Sequence, residues 1–166
     1  MSARISEVSV RDAREQDIPV LLEMLTEFAA YEHLSAELHA TAEGLRRGLF
    51  GEDATAAALI AEREDQVAGY AIYFATFSTF LASSGVWLED LYVRPAHRRH
   101  GVGRGLLAAV AAQLSQGDGG RLEFSALDWN GPALAFYRGL GAAPLREWVI
   151  HRVQGQALSD LAASPR

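Results

Sequence analysis

Leu88-Glu89-Asp90-Leu91-Tyr92-Val93-Arg94-Pro95-Ala96-His97-Arg98-Arg99-His100-Gly101-Val102-Gly103-Arg104 decides how this chain is read. It opens in an apolar run that holds two adjacent acids, Val86 to Val93, which reads as a strand. Arg94-Pro95 breaks that run, and a turn of arginines, histidine and glycine follows. Leu106, Leu107, Val110 and Leu114 then recur on one helical stripe. Glycines at a helix N-terminus let backbone N–H groups approach an anion closely, and the helix dipole adds positive potential there. Arg98, Arg99, His100 and Arg104 reinforce it, so the turn is a candidate anion site; the plain alternative is a tight turn with solvated charges. The spacing Gly101, Gly103, Gly105 fits no dinucleotide-binding fingerprint.

Outward from this centre, the elements follow from spacing. Ser6 to Arg11 alternates as a strand, and Asp17 reads as the cap of a helix, with Pro19 inside its first turn, that carries Leu21, Leu22, Leu25, Phe28 and Ala29. Thr41 caps a second short helix anchored by Leu45 and Leu49. Ala56 to Glu62 and Val67 to Phe77 form a hairpin around the polar Arg63-Glu64-Asp65-Gln66 turn. Gly117 to Gly120 stops the central helix, and Arg121 to Leu127 alternates as a strand. Asn130-Gly131-Pro132 starts a helix that Gly139 and Gly141 end. Trp148 to Val153 reads as a last strand, and Gln156 to Ala162 as a terminal helical turn or two. The order predicts an α/β fold with a mixed, mainly antiparallel sheet and helices on both faces. One domain spans 1–166, with a core of about 5–154 and a tail of 155–166.

Composition narrows the chemistry. The chain has 166 residues, no cysteine and no lysine; all 15 basic residues are arginine. Thiolate metal sites, acyl-cysteine intermediates, Schiff-base lysines and the Walker lysine are excluded. A net charge of −6 repels a phosphate backbone, so no nucleic-acid partner is expected, and the same field attracts cationic small molecules. No apolar run is long enough to span a bilayer, and Met1 to Val10 has no apolar stretch of the signal-peptide kind. The expectation is a cytoplasmic protein with no membrane partner. His97 and His100 have no third ligand near them in sequence, so no metal is expected.

Arg98-x-x-Gly101-x-Gly103, preceded by Leu-Glu-Asp-Leu-Tyr-Val-Arg-Pro and followed by an apolar helix, resembles the acyl-CoA loop of the GCN5-related N-acetyltransferases. Three further stretches resemble the diamine branch of that superfamily, whose members act on spermidine, spermine or thialysine. They are Phe28 to Glu32, Trp87 to Val93, and Leu127 to Tyr137. The likeness is collinear from about Ser6 to Ala162. It implies a splayed strand at an acetyl-CoA site, where loop amides hold the diphosphate of the co-substrate.

The resemblance also implies roles. Arg98, Arg99, His100, Gly101, Val102, Gly103 and Arg104 would dock the diphosphate, and Leu91, Tyr92 and Val93 the acetyl carbonyl and pantetheine arm. Asn130, Pro132 and Ala133 would meet the same arm, although Asn130 also reads as a plain helix cap. Glu89 would take the proton from the acceptor ammonium, directly or through water; otherwise it is an edge-strand acid paired with an arginine. Tyr137 would protonate the leaving thiolate, a transfer uphill by ~2 kcal/mol from the ordinary phenol and thiol values; without the resemblance it reads as packing beside Leu134 and Leu140. Tyr31, Glu32, Glu89 and Asp90 would hold a small cationic acceptor, or else Tyr31 and Glu32 are a loop tyrosine and a solvated glutamate. Phe77-Ser78-Thr79-Phe80 stands where the branch carries a tyrosine before Ser-Thr, which removes one hydroxyl near the acceptor. Arg99 stands where the branch often has glycine.

The function so implied is transfer of acetyl from acetyl-CoA to the primary amine of a polyamine, diamine or thialysine-like acceptor by direct attack in a ternary complex. Alternatives are another amine (an amino acid, an aminoglycoside or a protein N-terminus) and a non-catalytic acyl-CoA-binding protein. Homodimers are common among such enzymes, and the Trp148 to Ala162 tail can exchange between protomers.

Overall fold

Glu64 and Asp65, both with positive φ (56° and 58°), close the tight turn between the second and third strands, as the polar run between two apolar ones predicts. In the computed structural model, which describes residues 7–114 and 120–164, this hairpin is the middle of a five-stranded sheet. The strands are β1 (Val8–Asp12), β2 (Ala57–Arg63), β3 (Gln66–Ser78), β4 (Ser83–Val93) and β5 (Leu122–Phe124). They lie in sequence order; the first three pairings are antiparallel and β4–β5 is parallel. The mixed, mainly antiparallel sheet is therefore as expected. The expected stop at Gly117 to Gly120 falls largely outside the described residues, as does Ser6.

Helices α1 (Ile18–Tyr31) and α2 (Ala42–Phe50) precede β2, and α3 (Val102–Ala112) follows β4. Leu21, Met24 and Leu25 of α1 pack with Ala58, Ile60, Tyr70, Ile72 and Tyr92 into one buried cluster. Helix α3 packs against β1 to β4 on the other face, burying Val102, Leu106, Leu107 and Val110. Gly105 sits where an added Cβ would already touch Val10 at 3.4 Å and Val8 at 3.7 Å. Removing these apolar stripes from water on both faces supplies the main driving force, roughly 1.5–3 kcal/mol for each fully buried large side chain.

Local signals set the helix starts unequally. Thr41 Oγ1 accepts from Gly44 N at 3.0 Å, the expected cap. Asp17 precedes α1 but does not cap it. Its carboxylate instead accepts from the Arg11 guanidinium at 2.7 and 2.9 Å and from Arg14 N at 2.7 Å. Those bonds hold Asp17 below the usual carboxylate range, the Arg11 bond foremost, and staple the start of α1 to β1.

The described chain forms two compact units, Met1–Ser125 and Ala126–Arg166. The second holds α4 (Gly131–Gly139) and α5 (Gln156–Ala162), both near their expected bounds. The expected strand over Trp148–Val153 is absent: the segment is irregular, and Trp148, Val149 and Ile150 are each at least 70% exposed. A short apolar run makes a strand only when a neighbouring strand takes up its backbone groups.

Candidate active site

The register of β3 against β4 slips at one residue. Tyr73 pairs with Leu88 but Ile72 pairs with Asp90, so Glu89 is an extra residue with no partner opposite it. Paired residues share a face. Val86 and Leu88, opposite Ala75 and Tyr73, therefore lie away from α1, whereas Asp90 and Tyr92, opposite Ile72 and Tyr70, lie towards it. The bulge thus turns Asp90 to the side where α1 ends in Tyr31 and Glu32.

The same residue marks where the sheet opens. Val86, Trp87 and Leu88 pair with Leu122, Glu123 and Phe124 of β5, and the ladder stops there. From Glu89 to Val93, β4 runs on with β3 as its only sheet neighbour among the described residues. This is the splayed strand the sequence reading expects, and Leu91, Tyr92 and Val93 lie along it.

Electrostatics follow from the bulge. Burial pushes the Asp90 carboxyl up to about 6, with the nearby negative charges of Glu89 and Glu32 adding to the effect. Burial also raises Glu32. Tyr70 is wholly buried with its hydroxyl unpartnered among the described residues, and burial, then Asp90 and Glu32, hold that hydroxyl well above its ordinary value. Glu89 is exposed, and Trp87 Nε1 donates to its Oε2 at 2.9 Å. Tyr92 donates to Glu27 Oε2 at 3.0 Å and is pushed up to about 12, by burial first and that bond second. Arg94 joins Glu27 at 3.0 Å and Glu23 at 2.5 Å, fixing α1 to the end of β4.

Beyond β4, a short 3-10 turn over Pro95–His97 leads into the anion turn. Arg99 (φ 65°) and Gly101 (φ 84°) both take left-handed backbone there, a conformation glycine adopts without strain. The bond from Gly105 N to Gly101 O, 2.9 Å, is the first of α3, so the amides of Val102, Gly103 and Arg104 belong to its open first turn. Arg99, His100 and Arg104 are exposed around them. That is a donor set suited to a phosphate or diphosphate. Arg98 differs: its Nε donates to Val93 O at 2.9 Å, and its guanidinium carbon lies 4.9 Å from the centroid of the Tyr31 ring.

In the second unit, Asn130 is buried and its side chain accepts from Ala133 N at 3.2 Å, capping α4 with Pro132 in the first turn. Tyr137 lies half-buried on the same helix, its ring centroid 5.3 Å from that of Phe136.

The first unit therefore brings Tyr31, Glu32, Asp90, Tyr92 and Arg98 together and places the 99–104 turn at the head of α3. Sequence reading missed Tyr70, the Trp87–Glu89 bond and the Arg98–Tyr31 stack. All three depend on register or tertiary contact, and only the apolar alternation of β3 hinted that Tyr70 is buried.

A family model described as the acetyltransferase (GNAT) family matches residues 19–142. The chain belongs to that family and is an N-acetyltransferase. Thialysine N-epsilon-acetyltransferase of Bos taurus is 35% identical to it over 166 residues, covering 93% of this chain and 97% of that one. L-ornithine N5-acetyltransferase of Arabidopsis thaliana is 41% identical over 95 residues, 57% of this chain and 42% of that one. Among solved structures, an integron cassette protein from the mobile metagenome of V. cholerae superposes with a TM-score of 0.77 at 26% identity, covering 95% of this chain and 98% of that one.

Proposed function

We propose that the protein transfers an acetyl group from acetyl-CoA to the primary amine of a small acceptor that carries a second charged group, of the thialysine or diamine class. The observation that carries this reading is the bulge at Glu89, which opens an edge of β4 and sets Asp90 beside Glu32. The thialysine and ornithine relatives support an acceptor of that kind.

In this reading the turn that Arg98 leads into, Arg99 to Arg104, receives the diphosphate of acetyl-CoA. The open edge at Leu91 to Val93 offers main-chain groups to the thioester carbonyl and pantetheine arm. Glu32 and Asp90, with Tyr31, hold the acceptor by its positive charge. Glu89, steadied by Trp87, takes the proton from the reacting ammonium directly or through water. The neutral amine then attacks the thioester carbon, the C–N bond forms as the C–S bond breaks, and Tyr137 protonates the departing thiolate. The second proton, shed by nitrogen as the amide forms, passes through water to restore the Tyr137 hydroxyl. Asn130, Pro132 and Ala133 serve the pantetheine arm. The chain acts as a homodimer in which the Trp148 to Ala162 segment pairs with the partner, supported by the exposed apolar residues there.

Thiol release from acetyl-CoA, measured against thialysine, spermidine, ornithine, an aminoglycoside and a peptide N-terminus, tests the reading. Release with thialysine or a diamine is expected, and Tyr137→Phe should lower kcat about tenfold or more. Release only with an aminoglycoside or peptide overturns the acceptor class. Coenzyme A binding without turnover overturns the catalytic reading.

A further inference from the structure

Arg98 begins the anion turn, yet its side chain does not lie along it. The Arg94 N–H donates to Ala68 O of β3 at 2.9 Å. The Val93 carbonyl belongs to the same trans peptide, so it points the opposite way, to the edge that β5 has left. Arg98 Nε caps that carbonyl at 2.9 Å. The guanidinium lies over the Tyr31 ring at 4.9 Å and within 5.9 Å of the Tyr92 ring centroid, both inside cation–π range. Tyr92 is itself held by Glu27 of α1. A planar guanidinium can donate along its edge while it stacks on its face, which an ammonium cannot.

We propose that Arg98 is a positioning residue that ties Tyr31, at the acceptor side, to the open edge of β4, at the thioester side, rather than a ligand of the diphosphate. This inference rests on the acetyltransferase reading above and deepens it. One side chain spans the two substrate sites, so an acceptor that settles Tyr31 also settles the Val93 edge, and the two substrates help each other bind. Arg99 and Arg104 remain the cationic groups of the anion turn, with His100 exposed beside them.

The test uses two donors, acetyl-CoA and acetyl-S-pantetheine, which keeps the thioester but has neither diphosphate nor nucleotide. Thialysine is the amine. With Arg98→Met, kcat/KM for the amine should fall about tenfold with both donors, the size expected for one desolvated cation–π contact and its hydrogen bond. Tyr31→Leu should cost a similar factor, and the double variant little more than either single one. Tyr31→Phe keeps the ring face and should retain the coupling. A loss confined to acetyl-CoA makes Arg98 a diphosphate ligand and overturns the inference, as do independent, multiplying losses in the double variant. If Arg98→Met melts too low to assay, Arg98→Lys replaces it: a raised amine KM with both donors supports the inference, and an unchanged one overturns it. Absence of turnover by the wild type with either donor would instead strike at the acetyltransferase reading itself.

Discussion

Asp90 shows what a single position costs and returns. Its carboxyl would ionise at its ordinary value of 3.8 in the unfolded chain and at about 6 in the folded one. The folded state therefore holds a proton that the unfolded state has lost between those values, and stability falls as pH rises through that window. Above pH 7 the penalty is on the order of 3 kcal/mol. Asp90→Asn should raise the melting temperature at pH 7.5, with the gain vanishing below about pH 4. The same change should raise the amine KM about tenfold and remove an inflection near pH 6 from the kcat/KM profile, below which protonation of Asp90 weakens cation binding in the wild type. An unchanged KM would take Asp90 out of the acceptor site. Chemistry-bearing residue types at 89 and 90 were legible in the sequence, but which of them is buried was not. Simple alternation groups Leu88 with Asp90 and Tyr92, and cannot show that the bulge parts them and leaves Asp90 and Tyr92 with Tyr70 beside α1.

At the scale of elements, β4 is held where it opens by a close backbone approach. Gly69 pairs with Val93, and a Cβ there would strike the Tyr92 carbonyl oxygen and lie 3.2 Å from Val93 Cα. Gly69→Ala should cost about 1–3 kcal/mol in thermal or denaturant unfolding, because backbone rather than a flexible side chain must give way. It should also raise the donor KM, since Val93 is the residue Arg98 grips. A fully stable variant with unchanged KM would show that the edge tolerates displacement. Elements governed by local chemistry were readable: the Thr41 cap, the Asn130-Gly131-Pro132 start of α4 and the bounds of α5 hold. The strand expected over Trp148–Val153 does not, because pairing depends on a neighbour that sequence pattern cannot supply. Asp17 was misread for a related reason: a carboxylate before a helix is a cap only if no stronger partner reaches it, and Arg11 does.

At the scale of the molecule, the family and its fold were legible because strand, anion turn and helix follow one another without interruption. The number of copies that associate was not. Apolar side chains gather in water along Trp148, Val149, Ile150, Val153, Leu158 and Leu161, and a second copy would remove them from it. Light scattering at micromolar concentration should therefore give twice the 18.0 kDa chain mass. Replacing Trp148 and Ile150 by serine should shift the population to the single-chain mass. A monomer in the unaltered protein would overturn the exchange.

The extra residue in β4 has a consequence for how this chain can change. Side-chain direction along a strand is a two-beat count, and Glu89 is the position where the count is deliberately broken. Drawing it back into the pairing at constant chain length would put every later position of the strand out of step, driving the Asp90 carboxylate into the greasy layer beneath α3 and turning Tyr92 off its neighbours. Deleting it, by contrast, would leave Leu88 and Asp90 opposite Tyr73 and Ile72 as they are. A descendant one residue shorter here would thus keep the buried charge in place and lose only the carboxylate at 89 and the bend around it.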